Sequence, residues 1–235
     1  IKIYTCSNIM EGKPLVTITG ISGFLGSQVC LYFLKSGQFT VRGTVRSKTN
    51  PKKIDPLKKA FGDLFDQLEL AEADLLDKQS LFKACEGSEY IVHTASPFPL
   101  SNPKTADELI KPAVEGTLAI MEAAKINKVK RVVVTSSVVS IFTQNKPKTF
   151  YDHSDWSDEG AGDFYSQSKT QAERAAWDYI SELPEEEKFE VATVNPGLIV
   201  GPSLVTGQFS SADVIKMFMM KEIPFCPKTK MPITD

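Results

Sequence analysis

The chain has few histidines, few cysteines and no long apolar run. With only His93 and His153, a histidine-rich metal site is not expected, and we predict no bound metal. The four cysteines show neither disulfide nor metal-ligand spacing, so we expect reduced thiols. No apolar stretch approaches the length of a membrane span, and the N-terminus lacks the hydrophobic core of a signal peptide. We therefore expect a cytoplasmic protein that does not act at a membrane.

The charge balance is nearly neutral. Against 29 acidic residues stand 27 basic ones, which gives a net charge of −2, and no long basic run occurs. This balance does not support nucleic acid as a partner. The 235 residues, with 42% apolar and 24% charged residues, suit one large α/β domain or two small ones.

A short apolar stretch followed by three glycines begins the ordered pattern. Leu15 to Thr19 predicts a buried strand, and glycines follow at three-residue spacing before a helical pattern. The three are Gly20, Gly23 and Gly26. Such a turn presents backbone N–H groups and the positive end of a helix dipole, which suits a phosphate group. The alternative is a glycine-rich turn that only closes a strand–helix unit.

Strand and helix patterns alternate along the rest of the chain. Strands are predicted at 15–19, 40–45, 67–71, 89–93, 131–135 and 189–194, and the main later helices at 54–64, 80–85, 105–127 and 164–183. Pro51 is expected to break the chain before the helix at 54–64. This alternation predicts an α/β fold with a doubly wound parallel sheet of the Rossmann type, whose ligand binds at the carboxyl ends of the strands.

Tyr165 and Lys169 are four residues apart in the helix that follows the fifth strand. Their side chains therefore share one helix face, and a nearby cation is expected to lower the pKa of a tyrosine. Ser136 and Ser137 end the fifth strand and could donate hydrogen bonds to a developing oxyanion. Alternatively, the Tyr–Lys pair lies on the surface by chance and the serines only bind loop backbone.

Taken together, these motifs resemble the extended short-chain dehydrogenase/reductases. Within them, the chain is most similar to the branch of dihydroflavonol reductase, cinnamoyl-CoA reductase and yeast methylglyoxal reductase. The broad resemblance rests on Thr19-Gly20-x-x-Gly23-Phe24-x-Gly26, Ser137 and Tyr165-x-x-x-Lys169. The narrower one rests on His93-Thr94-Ala95-Ser96-Pro97, on Asp155-Trp156-Ser157-Asp158 and on the segment from Asn195 to Pro202.

The resemblance implies hydride transfer from a nicotinamide to a carbonyl group of a small aldehyde or ketone. It assigns Tyr165 as the general acid, Lys169 as the residue that lowers its pKa and holds the nicotinamide ribose, and Ser137 as the hydrogen-bond donor to the carbonyl oxygen. It also assigns a set of residues to the cofactor, in addition to Tyr165 and Lys169. These are Gly20, Ser22, Gly23, Phe24, Leu25, Gly26, Asp74, Leu75, Thr94, Thr135, Ser136, Pro196, Ile199 and Ser211.

Arg46, at the end of the second strand, indicates which cofactor is used. An acid at this place binds the ribose 2′-hydroxyl of NAD, whereas an arginine accommodates the 2′-phosphate of NADP. Lys53 is the expected second phosphate ligand by family position, and Lys48 the next candidate. We therefore predict NADP(H) as the cofactor. The alternative is a solvated basic loop.

The chain departs from its relatives in ways that bear on the substrate. Phe142 stands where the plant flavonoid reductases have a substrate-contacting asparagine, so dihydroflavonol specificity is not expected. Ser96 and Phe142 are weak candidates for substrate contact. No asparagine stands near Ala113 for a proton relay, so any relay is expected to run through water. Met217, Met219 and Met220 favour helix packing over a pliable substrate pocket.

We predict three regions: an N-terminal extension at 1–13, an NADP-binding Rossmann-type domain at 14–202, and the start of an apparently truncated substrate-binding lobe at 203–235. The leading hypothesis is an NADPH-dependent carbonyl reductase that is a monomer or a homodimer. Two alternatives remain open, namely a nucleotide-sugar epimerase or dehydratase of the same superfamily and a non-catalytic NADP-binding protein.

Overall fold

The structure is a computed structural model that describes residues 12–96, 105–143, 148–158, 160–205, 210–222 and 232–235. The side chains of residues 210–212 are outside this description. The predicted N-terminal extension at 1–13 therefore lies almost entirely outside the described residues, as do Cys6 and Cys226.

Six parallel strands form the central sheet, in the order β3-β2-β1-β4-β5-β6. They are β1 (Leu15–Thr19), β2 (Thr40–Val45), β3 (Leu68–Glu72), β4 (Tyr90–His93), β5 (Arg131–Thr135) and β6 (Glu190–Val194). The chain starts in the middle, winds outward through β2 and β3, and then returns to the other side of β1. This is the doubly wound Rossmann topology, and the predicted fold is confirmed.

In the part of the chain that the structure describes, seven helices connect or follow the strands. They are α1 (Phe24–Ser36), α2 (Pro51–Phe61), α3 (Lys78–Ala84), α4 (Asp107–Ile126), α5 (Val139–Phe142), α6 (Phe164–Glu182) and α7 (Ser210–Met219). Short 3₁₀ turns occur at Gly62–Gln67 and Glu185–Glu187. A second, two-stranded parallel sheet pairs β7 (Leu198–Ile199) with β8 (Ile233–Thr234).

Apolar side chains fill both faces of the sheet, as expected for parallel strands covered by helices. One core cluster joins β1 and β2 to α1 and α2 and includes Ile18 and Leu57. The other joins β4 and β5 to α3, α4 and α6 and includes Ile120 and Val132. Because helices cover both faces, the carboxyl ends of the strands are where the fold leaves room for a ligand.

The largest difference from the predicted elements concerns α2. Pro51 was expected to break the chain, but it is the first residue of this helix. The prediction is wrong because the first helical position needs no N–H donor, so proline is tolerated there. Asn50 caps the helix by accepting a hydrogen bond from the Lys52 N–H, and the helix ends at Phe61, before Gly62 with φ +55°.

Several short elements were not predicted, since α5, β7 and β8 have only two to four residues each and show no periodicity. The packing role expected for the methionines of α7 is not seen among the described residues, where the side chain of Met219 is 79% exposed. Cys30 and Cys85 are buried free thiols, as expected, and burial raises the pKa of each to about 12.

Candidate active site

A cavity of about 650 Å³ opens at the carboxyl ends of the strands, and we call it the cleft. It spans the point between β1 and β4 where the strand order reverses, which is the ligand position typical of this topology. Nearly all of the predicted cofactor residues line it. They are Gly20, Ser22, Gly23, Phe24, Leu25, Arg46, Lys53, Asp74, Leu75, Thr94, Thr135, Ser136, Tyr165, Lys169, Pro196 and Ile199.

The glycine turn forms the floor of one part of the cleft. Gly20 has φ +74°, and a Cβ there would lie 3.0 Å from the backbone of Ala95. Its N–H donates to Thr44 Oγ1 at 3.1 Å. Only glycine fits this position without strain, because L-residues rarely adopt a positive φ and the nearby Ala95 backbone leaves no space for a side chain.

Gly23 occupies the N-cap of α1 and offers no side-chain cap, whereas Asn50 caps α2 and Asp163 caps α6. The residues of this helix start, Ser22 to Leu25, line the cleft. An N-terminus that faces a cavity with no capping side chain suits a phosphate group. The glycine turn therefore fits the pyrophosphate of a dinucleotide.

Gly26 differs from the other two glycines because it is not among the residues that line the cleft. A Cβ at this position would lie 2.7 Å from Thr94 Oγ1 and closer still to the Gly20 carbonyl oxygen. The glycine thus lets α1 pack directly against the turn and the end of β4. Its effect on a bound cofactor would be indirect, through the shape of the turn.

Tyr165 and Ser137 meet at the inner end of the cleft. Tyr165 is in the first turn of α6, which Asp163 caps by accepting from the Ser166 N–H at 2.8 Å, and Ser137 follows β5. The Ser137 side chain lies close enough to the phenol to lower the pKa of Tyr165, but burial outweighs this effect and the net pKa is raised. The predicted lowering of this pKa is therefore wrong: the phenol keeps its proton at neutral pH.

Lys169 lies one turn further along α6 and is buried. Its Nζ donates to the Thr135 carbonyl oxygen at 3.4 Å and lies 6.0 Å from the centre of the Tyr165 ring. Burial lowers the pKa of Lys169 to about 8, although the nearby Glu173 opposes the shift. The ammonium is therefore held beside the phenol but loses its proton more easily than an exposed lysine.

His93, at the end of β4, has a structural role. It is buried, and its Nδ1 lies 2.8 Å from Thr19 Oγ1, which in turn accepts from the N–H groups of Thr94 and Ala95. Because Thr19 Oγ1 accepts twice, its own proton points to His93 Nδ1. Burial lowers the pKa of His93 to about 3, so the ring is neutral.

The outer end of the cleft carries positive charge. Arg46 and Lys53 line it, whereas Lys48 is not among its lining residues. Sequence reasoning missed an acid nearby: Glu72 pairs with Val45 across β2 and β3, and its Oε1 accepts from the Lys48 N–H at 2.8 Å. Glu72 therefore fixes the loop after β2, and strand pairing would have been needed to find it.

Asp74 and Leu75 follow β3 and line the same end of the cleft. The Asp74 N–H donates to Ser80 Oγ at 3.0 Å, and Asp74 Oδ1 accepts from the Leu76 N–H at 2.9 Å, so the segment is held rigid. The sequence analysis assigned no cofactor or substrate contact to several further lining residues. These are Thr19, Thr44, Val45, Ala73, Leu76, Leu81, Ala95, Glu108, Leu109, Pro112 and Gly197.

The structure places the two candidate substrate-contacting residues differently. Ser96 lines the cleft, but Phe142 does not: it is 40% exposed, and its ring makes an edge contact with Tyr151 at 6.5 Å between ring centres. The side chain of Ser211 lies outside the described residues. Within the described ranges, no group of three potential metal ligands occurs, and no helix is long and apolar enough to cross a membrane.

Comparisons with known proteins agree with this geometry. The model of the NAD dependent epimerase/dehydratase family matches residues 16–222. Dihydroflavonol 4-reductase of Hordeum vulgare is 38% identical over 207 residues, which cover 84% of this chain and 57% of that protein. Cinnamoyl-CoA reductase CAD2 of Medicago truncatula is 35% identical over 198 residues, which cover 81% of this chain and 59% of that protein.

Among solved structures, yeast methylglyoxal/isovaleraldehyde reductase complexed with NADPH superposes with a TM-score of 0.73 at 26% identity, covering 93% of this chain and 68% of that one. The chain thus spans little more than half the length of the curated relatives described above.

Proposed function

The chain belongs to the NAD dependent epimerase/dehydratase family, and we propose that it is an NADPH-dependent reductase of small aldehydes or ketones. The branch expected from the sequence is confirmed, because the relatives it resembles are named dihydroflavonol 4-reductase, cinnamoyl-CoA reductase and methylglyoxal reductase. The contact between Tyr165 and Ser137, in the same cleft as the open glycine turn, is the observation that carries the proposal.

The cleft has the parts that a dinucleotide needs, in the right order. The N-terminus of α1 would hold the pyrophosphate, Asp74 and Leu75 the adenine, and Lys169 the nicotinamide ribose. When bound, the cofactor supplies the hydride for carbonyl reduction. Pro196 and Ile199 lie along the inner end of the cleft, where they would support the nicotinamide ring.

Three residues of the chain, Tyr165, Ser137 and Lys169, would carry out and support the proton transfer. Tyr165 is protonated at neutral pH, which is the form that can donate to a carbonyl oxygen as it becomes negative. The Ser137 hydroxyl lies beside this phenol and would stabilise that oxygen by donating a hydrogen bond to it. The Lys169 ammonium would then stabilise the phenolate that remains after proton transfer.

Arg46 and Lys53 line the outer end of the cleft and favour NADPH over NADH. A guanidinium can bind a phosphate through two hydrogen bonds, and a lysine adds a point charge. The yeast methylglyoxal/isovaleraldehyde reductase, whose crystal structure is a complex with NADPH, is in line with this choice.

Stopped-flow oxidation of NADPH against a panel of aldehydes, ketones and sugar nucleotides tests the proposal. Turnover of an aldehyde or ketone with loss of NADPH absorbance supports it. Conversion of a sugar nucleotide without net NADPH loss would favour an epimerase or dehydratase instead. Tight NADPH binding without any turnover would favour a non-catalytic cofactor-binding protein.

A further inference from the structure

Glu173 is a buried acid that the proposed proton transfer does not use. It lies one helical turn after Lys169 on α6 and is 6% exposed. Its Oε2 accepts hydrogen bonds from Ser136 Oγ and from Asn195 Nδ2, the latter at 2.7 Å. Trp177 Nε1 donates to its other oxygen at 3.5 Å.

Burial of a carboxylate is costly unless hydrogen bonds and charges compensate for it. Here three donors and the positive charge of Lys169 do so. Replacing a whole buried ion pair by apolar side chains is often neutral for stability, so stability alone does not explain why an acid and a lysine are buried together at this place.

The two strongest donors to Glu173 come from the residues around Ser137. Ser136 directly precedes Ser137 at the end of β5. Asn195 follows β6, and its Nδ2 donates both to Glu173 and to the Ser137 carbonyl oxygen, the latter at 3.1 Å. The Ser136 N–H also donates to the Val194 carbonyl oxygen at 2.9 Å. Glu173 thus joins α6 to the ends of β5 and β6 on either side of Ser137.

We propose that Glu173 is a positioning residue: by binding Ser136 and Asn195 it holds the Ser137 hydroxyl beside the phenol of Tyr165. The catalytic effect expected of Glu173 rests on the proposed reductase function. The hydrogen bonds that link Glu173 to Ser136 and Asn195 do not depend on it. Tyr165 and Glu173 are both on α6, so the same helix carries the proposed general acid and the carboxylate that positions Ser137.

Glu173 also has an electrostatic effect on Lys169, in addition to its hydrogen bonds with Ser136 and Asn195. A small pocket of about 20 Å³, large enough for one water molecule, lies between β4, α4 and α6. Glu173, Lys169 and His93 are the titratable groups among its described lining residues, and His93 is neutral. The carboxylate of Glu173 therefore acts on one cation, Lys169, whose pKa it raises.

Two substitutions separate position from charge. Glu173→Gln keeps an oxygen that can accept from Ser136 and Asn195 but removes the charge, whereas Glu173→Ala removes both. We expect kcat to fall about a hundredfold in Glu173→Ala, because small displacements of reacting groups have effects of this size. In Glu173→Gln, kcat stays within about threefold of the parent protein. The exposed Glu182→Gln, on the same helix, is the matched charge control.

The pH profile provides a readout that a purely structural defect would not move. In Glu173→Gln, the loss of the negative charge lowers the pKa of Lys169 further, so any activity that depends on the Lys169 ammonium is lost at a lower pH than in the parent protein. Combining Glu173→Ala with Asn195→Ala is expected to cost no more in kcat than the larger single effect, since both act through Ser137. Equal kcat losses in the Gln and Ala variants, or parent-like kcat in Glu173→Ala, would overturn the inference.

A measurement without turnover keeps this test independent of the proposed function. In protein labelled with ¹³C at the tyrosine ζ carbon, the Tyr165 signal is assigned by its loss in Tyr165→Phe. Loss of the Ser137 contact should move that signal in Glu173→Ala to its position in Ser137→Ala, while Glu173→Gln keeps the parent position. If no carbonyl is reduced, the proposed function fails, and this signal still decides whether Glu173 positions Ser137. An unmoved signal in Glu173→Ala refutes the positioning role.

Discussion

The hydroxyl of Ser137 lies beside the phenol of Tyr165, although one belongs to the end of β5 and the other to the first turn of α6. Both lie in the cleft whose other part is the glycine turn before α1. Because burial raises the pKa of Tyr165, the phenol is protonated at neutral pH, which is the form that the proposed proton donation to a carbonyl oxygen needs.

The Tyr165→Phe substitution removes the hydroxyl of the proposed general acid and changes the side-chain volume little. We expect kcat for carbonyl reduction to fall by about 10²–10⁴, the usual contribution of general acid catalysis. The Kd of NADPH, measured by fluorescence titration, should stay nearly unchanged. Tyr32→Phe, at an exposed position on α1, is the control and should leave both values as they are. Reduction at the parent rate by Tyr165→Phe would assign the proton to another group.

Arg46→Ala tests the cofactor preference. Hydrogen bonds to charged groups contribute about 1.5–3 kcal/mol, so the KM for NADPH should rise about 10- to 100-fold, whereas the KM for NADH should not change. Lys53→Ala should act in the same direction. Lys48→Ala is the matched control because its side chain does not line the cleft, and it should have a smaller effect. Loss of NADH and NADPH binding to the same extent would contradict a 2′-phosphate site.

Much of the fold could be predicted because parallel strands and their helices leave periodic patterns. The bounds of β1, β2 and β5 agree with the predicted strands at 15–19, 40–45 and 131–135. Pro51 shows the limit of such rules: a proline can end a helix or begin one, and here it begins α2, which Asn50 caps.

The candidate site was predictable where residue types carry chemistry, as with Tyr165 and Lys169. The direction of the Tyr165 pKa was not, because it depends on burial, which spacing along one helix does not reveal. Glu173 was missed because an acid in a helix is usually solvent-exposed. Its spacing of four residues from Lys169, on the same helix face, was the available signal.

The pH dependence of reduction follows from Lys169, whose pKa burial lowers to about 8. Below this pH the ammonium is present and stabilises the phenolate left on Tyr165; above it the charge is lost. We therefore expect kcat/KM to fall as the pH rises through about 8, while Tyr165 is still protonated. A rate profile measured from pH 6 to pH 10 at saturating NADPH tests this, with circular dichroism at each pH as the control for folding. A kcat/KM that does not change over this range contradicts the role proposed for the Lys169 ammonium.

Two glycines with positive φ allow the effect of backbone strain to be separated from that of close contact. Gly20 has φ +74° and lies against Ala95, whereas Gly37, at the end of α1, has φ +62° and no atom within 4 Å of a Cβ built there. Alanine in a left-handed conformation costs about 1–2 kcal/mol, so Gly37→Ala should lower the free energy of unfolding by about that amount and leave NADPH binding intact.

Gly20→Ala should lower the free energy of unfolding further, because its Cβ would meet the Ala95 backbone at 3.0 Å. Relief of this contact requires the turn to move away from β4, which displaces the backbone that faces the pyrophosphate. We expect the Kd of NADPH to rise at least tenfold, equivalent to about 1.4 kcal/mol. Urea unfolding gives the stability of each variant, and fluorescence titration gives its affinity for NADPH. If the two alanine variants bound NADPH equally well, the turn at Gly20 would not be the phosphate site.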